Sequence, residues 1–192
     1  GFISHTAEGF TTTLGREGSD YSAAIFAFCT NASEVTIWKD VPGMLNADPK
    51  YFENTKKLDK ISYKEALELS YYGASVIHPK TIKPLQNKGI PLYVKSFLEP
   101  LNEGTTIHAN KENDKLIASF IVKHNQVLFS FTPNDFSFIV EENLSTLFKG
   151  LSACSAKINL MQNSALSFSI LLDELKINKE KILEYFKKEY TI

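Results

Sequence analysis

Apolar and polar positions switch between a helical period and a strand period along the chain, and the switches define its elements. Tyr21, Ala24, Ile25 and Phe28 fall on one face at helical spacing, which predicts a buried helix entered through the Thr-, Gly- and Ser-rich loop Thr11 to Asp20. Asn31 to Ser33 punctuates the chain, and Glu34 to Trp38 then alternates as a short strand should. Asp40 to Lys50 carries Pro42, Gly43, Asn46, Asp48 and Pro49, too many breakers for a regular element, and reads as a long, shaped loop. At Ser62-Tyr63-Lys64-Glu65 the residues fit a capping box, in which the Ser62 hydroxyl and Glu65 carboxylate satisfy each other's free backbone donors; Gly73 can end that helix. A second helix is expected over Lys80 to Asn87, closed by Gly89, and a strand over Pro91 to Phe97. Alternating helices and strands favour an α/β layered domain, with ligands held in loops at the carboxyl ends of the strands.

The stretch Glu99 to Asp114 is polar and turn-rich around Asn102-Glu103-Gly104, and composition changes after it. A domain boundary is placed there, giving a first domain of residues 1–112 and a second of 113–192. The second shows apolar strands near Leu116 to Val122 and Val127 to Phe131, and a helix near Ile139 to Ala153. Strands near Lys157 to Met161 and Leu166 to Leu172 follow, then a charged helix near Lys179 to Lys188. Counted from the Val127 strand, that is β-α-β-β-α, one strand short of an α+β ferredoxin-like unit. The last strand is expected beyond Ile192 or from another chain, and an uncovered edge invites oligomerisation. The stripe Phe129, Phe131, Phe136 and Phe138 reads as core, and the Lys179-Glu180-Lys181 and Lys187-Lys188-Glu189 runs as a solvated face.

Composition narrows the function classes. The 192 residues are 43% hydrophobic and 22% charged, which allows one large domain or two small ones. With a formal charge of −1 there is no global basic field, so neither nucleic acid nor a membrane surface is an expected partner. The longest apolar run, Ala23 to Cys29, is far short of the ~20 residues that span a bilayer. Cys29 and Cys154, the two cysteines, lie far apart, suggesting neither a zinc cluster nor a disulfide framework, and a reducing cytoplasm is expected. The chain opens at Gly1 inside apparent motif and so reads as a fragment.

Candidate chemistry concentrates in Thr13-Leu14-Gly15-Arg16-Glu17-Gly18-Ser19-Asp20. Two glycines free the backbone while Arg, Ser and Asp converge on a helix amino terminus, whose N–H groups and dipole bind anions. Arg16 offers a planar fork for a carboxylate, and Asp20 can orient nearby cations or cap the helix. The loop lacks Gly-Lys-Ser/Thr and is not a Walker loop. His78, followed by Pro79 after an apolar segment, reads as fixing a turn.

This loop, with Tyr21 and Ala23-Ala24 behind it, resembles the T-L-G-R-x-G-S-D-Y signature of aspartate kinases. Three further blocks follow in that family's order. Trp38-Lys39-Asp40-Val41-Pro42-Gly43 through Ala47-Asp48-Pro49-Lys50 resembles W-T-D-V-x-G-x-x-x-A-D-P-R. Ile61-Ser62-Tyr63-Lys64-Glu65-Ala66 through Tyr72-Gly73-Ala74 to Ile77-His78-Pro79 resembles I-S-Y-x-E-A with F-G-A-K-V-L-H-P. Asn102-Glu103-Gly104-Thr105-Thr106-Ile107 resembles the P-G-T-x-I ending of the catalytic domain. The resemblance implies the carboxyl-terminal, nucleotide-side half of an amino-acid-kinase-type three-layer α/β domain, followed by an ACT-type regulatory domain. It implies ATP-dependent phosphorylation of the β-carboxylate of L-aspartate, with Mg2+ accompanying ATP and no metal-ligand motif in the protein. Such catalysis is mainly positioning and charge neutralisation.

By the same resemblance Arg16 and the Gly18-Ser19 backbone hold aspartate, and Asp20 organises the lysines that neutralise the transferring phosphate. Lys39 and Asp40 occupy the adenosine-contacting Thr-Asp pair, Leu45 a nucleotide-packing position, and Lys50 a phosphate-side position usually held by Arg. Ser75 stands where the family places a nucleotide-binding lysine; Lys39 or Lys80 is expected to supply the missing charge. The amino-terminal half, with its K-F-G-G-T/S phosphate loop, is absent, so these residues alone are not expected to turn over. In the ACT region the resemblance points to Thr132 to Phe138 as an effector loop, with Asn134, Asp135 and Phe138 as contacts. Asn159 takes the place of an acid that reads the effector amine in lysine-sensitive members. Lysine or threonine is the expected effector, and a homo-oligomer through ACT domains is expected. A non-catalytic sensing and dimerisation module, and the kinase part of a bifunctional enzyme, stand as alternatives.

Overall fold

A computed structural model of the chain describes residues 3–15, 17–72, 76–114 and 116–192. Arg16, Gly73 and Ser75, singled out above, lie outside the described residues. The chain divides into two units, Gly1–Val122 and Lys123–Ile192.

The first unit begins with a hairpin of two exposed three-residue strands, β1 (Ile3–His5) and β2 (Thr11–Thr13), the second of them at the start of the expected Thr11 to Asp20 loop. Helix α1 (Gly18–Thr30) follows, burying Asp20, Ala24 and Ala27 on one side. Strand β3 (Val35–Lys39) turns Val35 and Ile37 inward. Next come β4 (Lys60–Ser62), α2 (Tyr63–Tyr72), α3 (Pro79–Lys88), β5 (Leu92–Ser96) and β6 (Thr105–His108). The sheet runs β3-β5-β6-β4, with β3 parallel to β5, β5 antiparallel to β6 and β6 parallel to β4. Its core joins Ala24 and Ala27 of α1 to Ile82 and Leu85 of α3 and to Ile37, Leu92, Val94 and Ile107 of the sheet. His78 caps α3, its Nδ1 accepting from the Lys80 N–H at 3.0 Å with Pro79 in the first turn, as the sequence suggested. Gly89, at φ 65, closes that helix.

Half of the expected capping box forms. Ser62 Oγ accepts from the Glu65 N–H at 3.1 Å, but the Ser62 N–H donates to Asp114 Oδ1 at 2.8 Å rather than to Glu65. A residue distant in sequence supplies the second cap, which no local pattern could announce. Burial pushes the Glu65 carboxyl above its ordinary value of 4.5, and the negative charge of Asp114 adds to the effect. An acid with a raised folded pKa holds its proton more tightly folded than unfolded. Its stabilising contribution is therefore complete below pH 4.5 and lost as pH rises through the folded value. Glu65→Gln removes this dependence: the wild-type denaturation midpoint should fall relative to the variant's between pH 4.5 and neutrality. A constant offset between the two would contradict it.

Leu116 to Val122 is not a strand. The segment is irregular and belongs to the first unit: Ile117 packs on its core, the Phe120 N–H donates to the Asn46 carbonyl at 2.7 Å, and the Phe120 and Phe52 rings stack at 5.6 Å. The segment lies as a strap instead of joining a ladder, Leu116, Ile121 and Val122 staying exposed, and the division falls after Val122 rather than after 112.

In the second unit β7 (Gln126–Pro133), α4 (Glu141–Ala153), β8 (Ile158–Asn163), β9 (Phe168–Asp173), α5 (Lys179–Phe186) and β10 (Tyr190–Thr191) follow in order. A 3-10 turn at Glu174–Lys176 joins β9 to α5. The sheet is antiparallel throughout, ordered β10-β7-β9-β8. Phe168, Ile170 and Leu172 of β9 and Phe129 and Phe131 of β7 bury against α4 and α5 through Leu147, Leu151, Ile182 and Phe186. The expected missing strand is present as β10, which pairs with Thr132 and Pro133; two residues are too few for a period to show. The Phe stripe divides: Phe129 and Phe131 are core, whereas Phe136 is 81% and Phe138 66% exposed because both lie past the end of β7.

Candidate active site

The alternation that buries Val35 and Ile37 also turns Lys39, the last residue of β3, toward the core side, where it stays half-buried. Along α1 the face that buries Ala24 and Ala27 carries Asp20 at its first turn. The two side chains meet: Lys39 Nζ lies 2.7 Å from Asp20 Oδ2, their side chains 22% and 7% exposed. A carboxylate this buried needs a partner, and the ammonium supplies one while retaining further N–H donors for a second anion. The carboxyl end of β5 closes the place, since the Phe97 N–H donates to the Lys39 carbonyl at 2.9 Å.

The turn before α1 is built by Gly15 at φ 83 and Glu17 in the left-handed region at φ 58. The Gly18 N–H donates to the Gly15 carbonyl at 3.1 Å and the Asp20 N–H to the Glu17 carbonyl at 3.2 Å. Gly18 is thus engaged within the turn, and Ser19 is exposed at the helix start.

The loop after β3 is pinned at its root. Thr105 Oγ1 accepts from the Met44 N–H at 2.8 Å, and the Leu58 N–H donates to the Met44 carbonyl at 2.9 Å. Leu45 bridges to Lys57 and is half-buried. At the tip, Asp48 Oδ1 accepts from the Lys50 N–H at 2.9 Å, holding Asp48-Pro49-Lys50 as a turn with Lys50 exposed. Asp40 is exposed, and so is Lys80. Of the two lysines expected to make good the charge absent at Ser75, Lys39 is the one seated on Asp20.

The residues 1–96 match the model of the amino acid kinase family. The chain belongs to that family. Its relatives include aspartokinases. It is 36% identical over 174 residues to lysine-sensitive aspartokinase 3 of Escherichia coli (strain K12), covering 90% of this chain and 38% of that protein. The crystal structure of E. coli aspartokinase III in complex with aspartate and ADP superposes with a TM-score of 0.82 at 32% identity, covering 98% of this chain and 44% of that one. The same enzyme in complex with lysine and aspartate gives 0.78 at 32% identity, covering 100% and 44%. The chain therefore spans about two fifths of the length of these relatives. Among the described residues no helix is long and apolar enough to cross a membrane, and no three His, Cys, Asp or Glu side chains cluster as a cation site.

In the second unit, Asn134, Asp135 and Phe138 share the loop between β7 and α4, all exposed. Asn134 holds the end of the sheet: its Nδ2 donates to the Lys188 carbonyl at 3.2 Å and its Oδ1 accepts from Thr191 Oγ1 at 2.8 Å. Asp135 Oδ1 accepts from the Ser137 N–H at 3.0 Å, which lowers its pKa. Asn159 is elsewhere. Its Nδ2 donates to Gln126 Oε1 at 2.6 Å and its Oδ1 accepts from Lys123 Nζ at 2.7 Å. Gln126 begins β7 and the β7–α4 loop follows its end, so at a strand rise of about 3.3 Å per residue the two places are about 25 Å apart. Within one copy the four residues expected to form an effector site do not come together, because β8 lies across β9 from β7 with its first residues level with the start of β7.

Sequence reasoning missed Thr105, Asn46 and Asp114. Thr105 could have been found: it sits in the Gly104-Thr105-Thr106-Ile107 block that carried the family resemblance. Asn46 and Asp114 act through contacts distant in sequence and left no local signal.

Proposed function

We propose that the protein to which this chain belongs transfers the γ-phosphoryl group of ATP to the β-carboxylate of L-aspartate, giving 4-phospho-L-aspartate for lysine, threonine and methionine biosynthesis. The observation that carries this reading is the Lys39–Asp20 pair, where β3 ends against the start of α1. In phosphoryl transfer the protein chiefly positions the reactants and neutralises charge that spreads over the phosphoryl oxygens. Lys39 is the cation for that task, and Asp20 fixes it in place. Arg16 and Ser19 receive the carboxylates of aspartate beside the helix start. Leu45 packs the nucleotide, and Lys50 and Asp40 meet its polar parts. Mg2+ enters with the phosphates, as that ion commonly does, rather than in an all-protein cage.

The second unit is proposed to be an ACT domain, its β-α-β-β-α-β order and strand sequence being those of a ferredoxin-like unit. With β10 covering β7, the free edge at β8 carries exposed Leu160 and Met161 and is proposed to pair with a second copy. The effector is proposed to be lysine or threonine, held at the β7–α4 loop. If Asn159 takes part, it belongs to a different copy from that loop. Calorimetric titration of ATP, lysine and threonine into the protein tests the reading. Binding of ATP, weakened by Lys39→Ala, is expected. Binding of an amino acid with none of ATP would make the chain a pure sensor.

A further inference from the structure

Asn46 is 8% exposed and uses both its backbone groups and both ends of its side-chain amide. On the loop side, its N–H donates to the Lys56 carbonyl at 2.9 Å and its Oδ1 accepts from the Lys56 N–H at 2.7 Å. On the other side, its carbonyl accepts from the Phe120 N–H at 2.7 Å and its Nδ2 donates to the Ala118 carbonyl at 3.0 Å. The amide orientation follows from chemistry, since only an oxygen can face the Lys56 N–H and only the NH2 group can face a carbonyl. The Phe52 ring, from the same loop, stacks on Phe120 at 5.6 Å. Residues 118–120 run directly into Lys123, where the second unit begins.

We propose that Asn46 is a positioning residue for the nucleotide, setting the Leu45–Lys50 loop against residues 118–120 so that the placement of that segment sets nucleotide affinity. The inference rests on the assignment of this loop to ATP. Its neighbours Leu45 and Lys50 are the nucleotide contacts; Asn46, facing away into the strap, has a side chain whose donor and acceptor are both taken. A shift of the strap reaches the loop through three links: two hydrogen bonds and one ring stack. Loss of one such bond, with the carbonyl beside it left unpaired, weakens the loop's hold by about fivefold or more in equilibrium terms.

Three variants of the full-length protein separate the possibilities. Asn46→Ala removes both side-chain bonds. Asn46→Asp keeps the acceptor for Lys56 and loses only the donor to Ala118, setting a carboxylate against a carbonyl. Phe120→Ala removes the ring and leaves the backbone bond. KM for ATP should rise about fivefold or more in both Asn46 variants and about twofold in Phe120→Ala, with KM for aspartate and kcat within twofold. A wild-type KM for ATP in Asn46→Asp would overturn the proposal, leaving Asn46 as a closure of its own loop. An equal rise in both KM values would also overturn it, as general loss of structure. Amide hydrogen exchange at Lys56 is read on the same proteins without substrate: faster exchange in Asn46→Asp is expected, and unchanged exchange would count against the coupling. If wild type neither binds nor uses ATP, the assignment of function fails, while the exchange result still decides whether strap and loop are coupled.

Discussion

Replacing Lys39 by alanine in the full-length protein should lower kcat for phosphoryl transfer to aspartate by about a hundred- to a thousandfold, the usual cost of removing one preorganised group that meets transition-state charge. Substrate binding should change much less, because the charge Lys39 answers is greatest as the phosphoryl group moves. Asp20→Asn keeps the shape of the carboxylate and removes its charge, so the lysine loses its 2.7 Å anchor and kcat should fall about tenfold or more. The two changes should not multiply: once Lys39 is gone Asp20 has nothing to orient, and the double variant should match Lys39→Ala. Full multiplication of the two losses, measured by steady-state kinetics, would mean that the residues act separately. Lys39→Ala also takes the ammonium partner from a carboxylate with 7% exposure, so a thermal scan must accompany the kinetics.

Gly104→Ala should destabilise the first unit by about 3 kcal/mol or more. A Cβ there would stand 2.1 Å from the Val94 carbonyl oxygen, a backbone atom of β5 that cannot rotate away, and φ is +72°. The damage should spread to the loop after β3, because Thr105 holds it through Met44, while Gly43 at φ +144° leaves room for the Thr105 hydroxyl that a Cβ would approach to 2.5 Å. In urea, the transition of the first unit should move to lower denaturant while that of residues 123–192 stays in place. Unchanged stability would show that β5 and β6 do not pack as described.

The elements visible in the sequence were those with enough residues for a period to show. Val35 and Ile37, the Lys80 to Asn87 helix with its Gly89 cap, and the alternation of Phe168, Ile170 and Leu172 were all legible, because burial repeats along each of them. Strands β4 and β10, of three and two residues, exist through their partners rather than through their own pattern. Leu116 to Val122 misled for the opposite reason: its apolar run enters no ladder, and of its residues Ile117 packs on the core and Phe120 stacks on Phe52 while Leu116, Ile121 and Val122 stay exposed. At the candidate site the motif named Asp20 and Lys39 but not that they touch, since that contact joins the end of a strand to the start of a helix. The mutual distance of Asn134 and Asn159 was equally invisible, depending on the order in which strands enter the sheet.

Incubation of the full-length protein with ATP, Mg2+, L-aspartate and hydroxylamine, followed by chromatography, should give β-aspartyl hydroxamate together with ADP in equal amounts, and Lys39→Ala should nearly abolish both. ADP without the hydroxamate, or no ADP from a folded protein that binds ATP, would rule out phosphoryl transfer to aspartate.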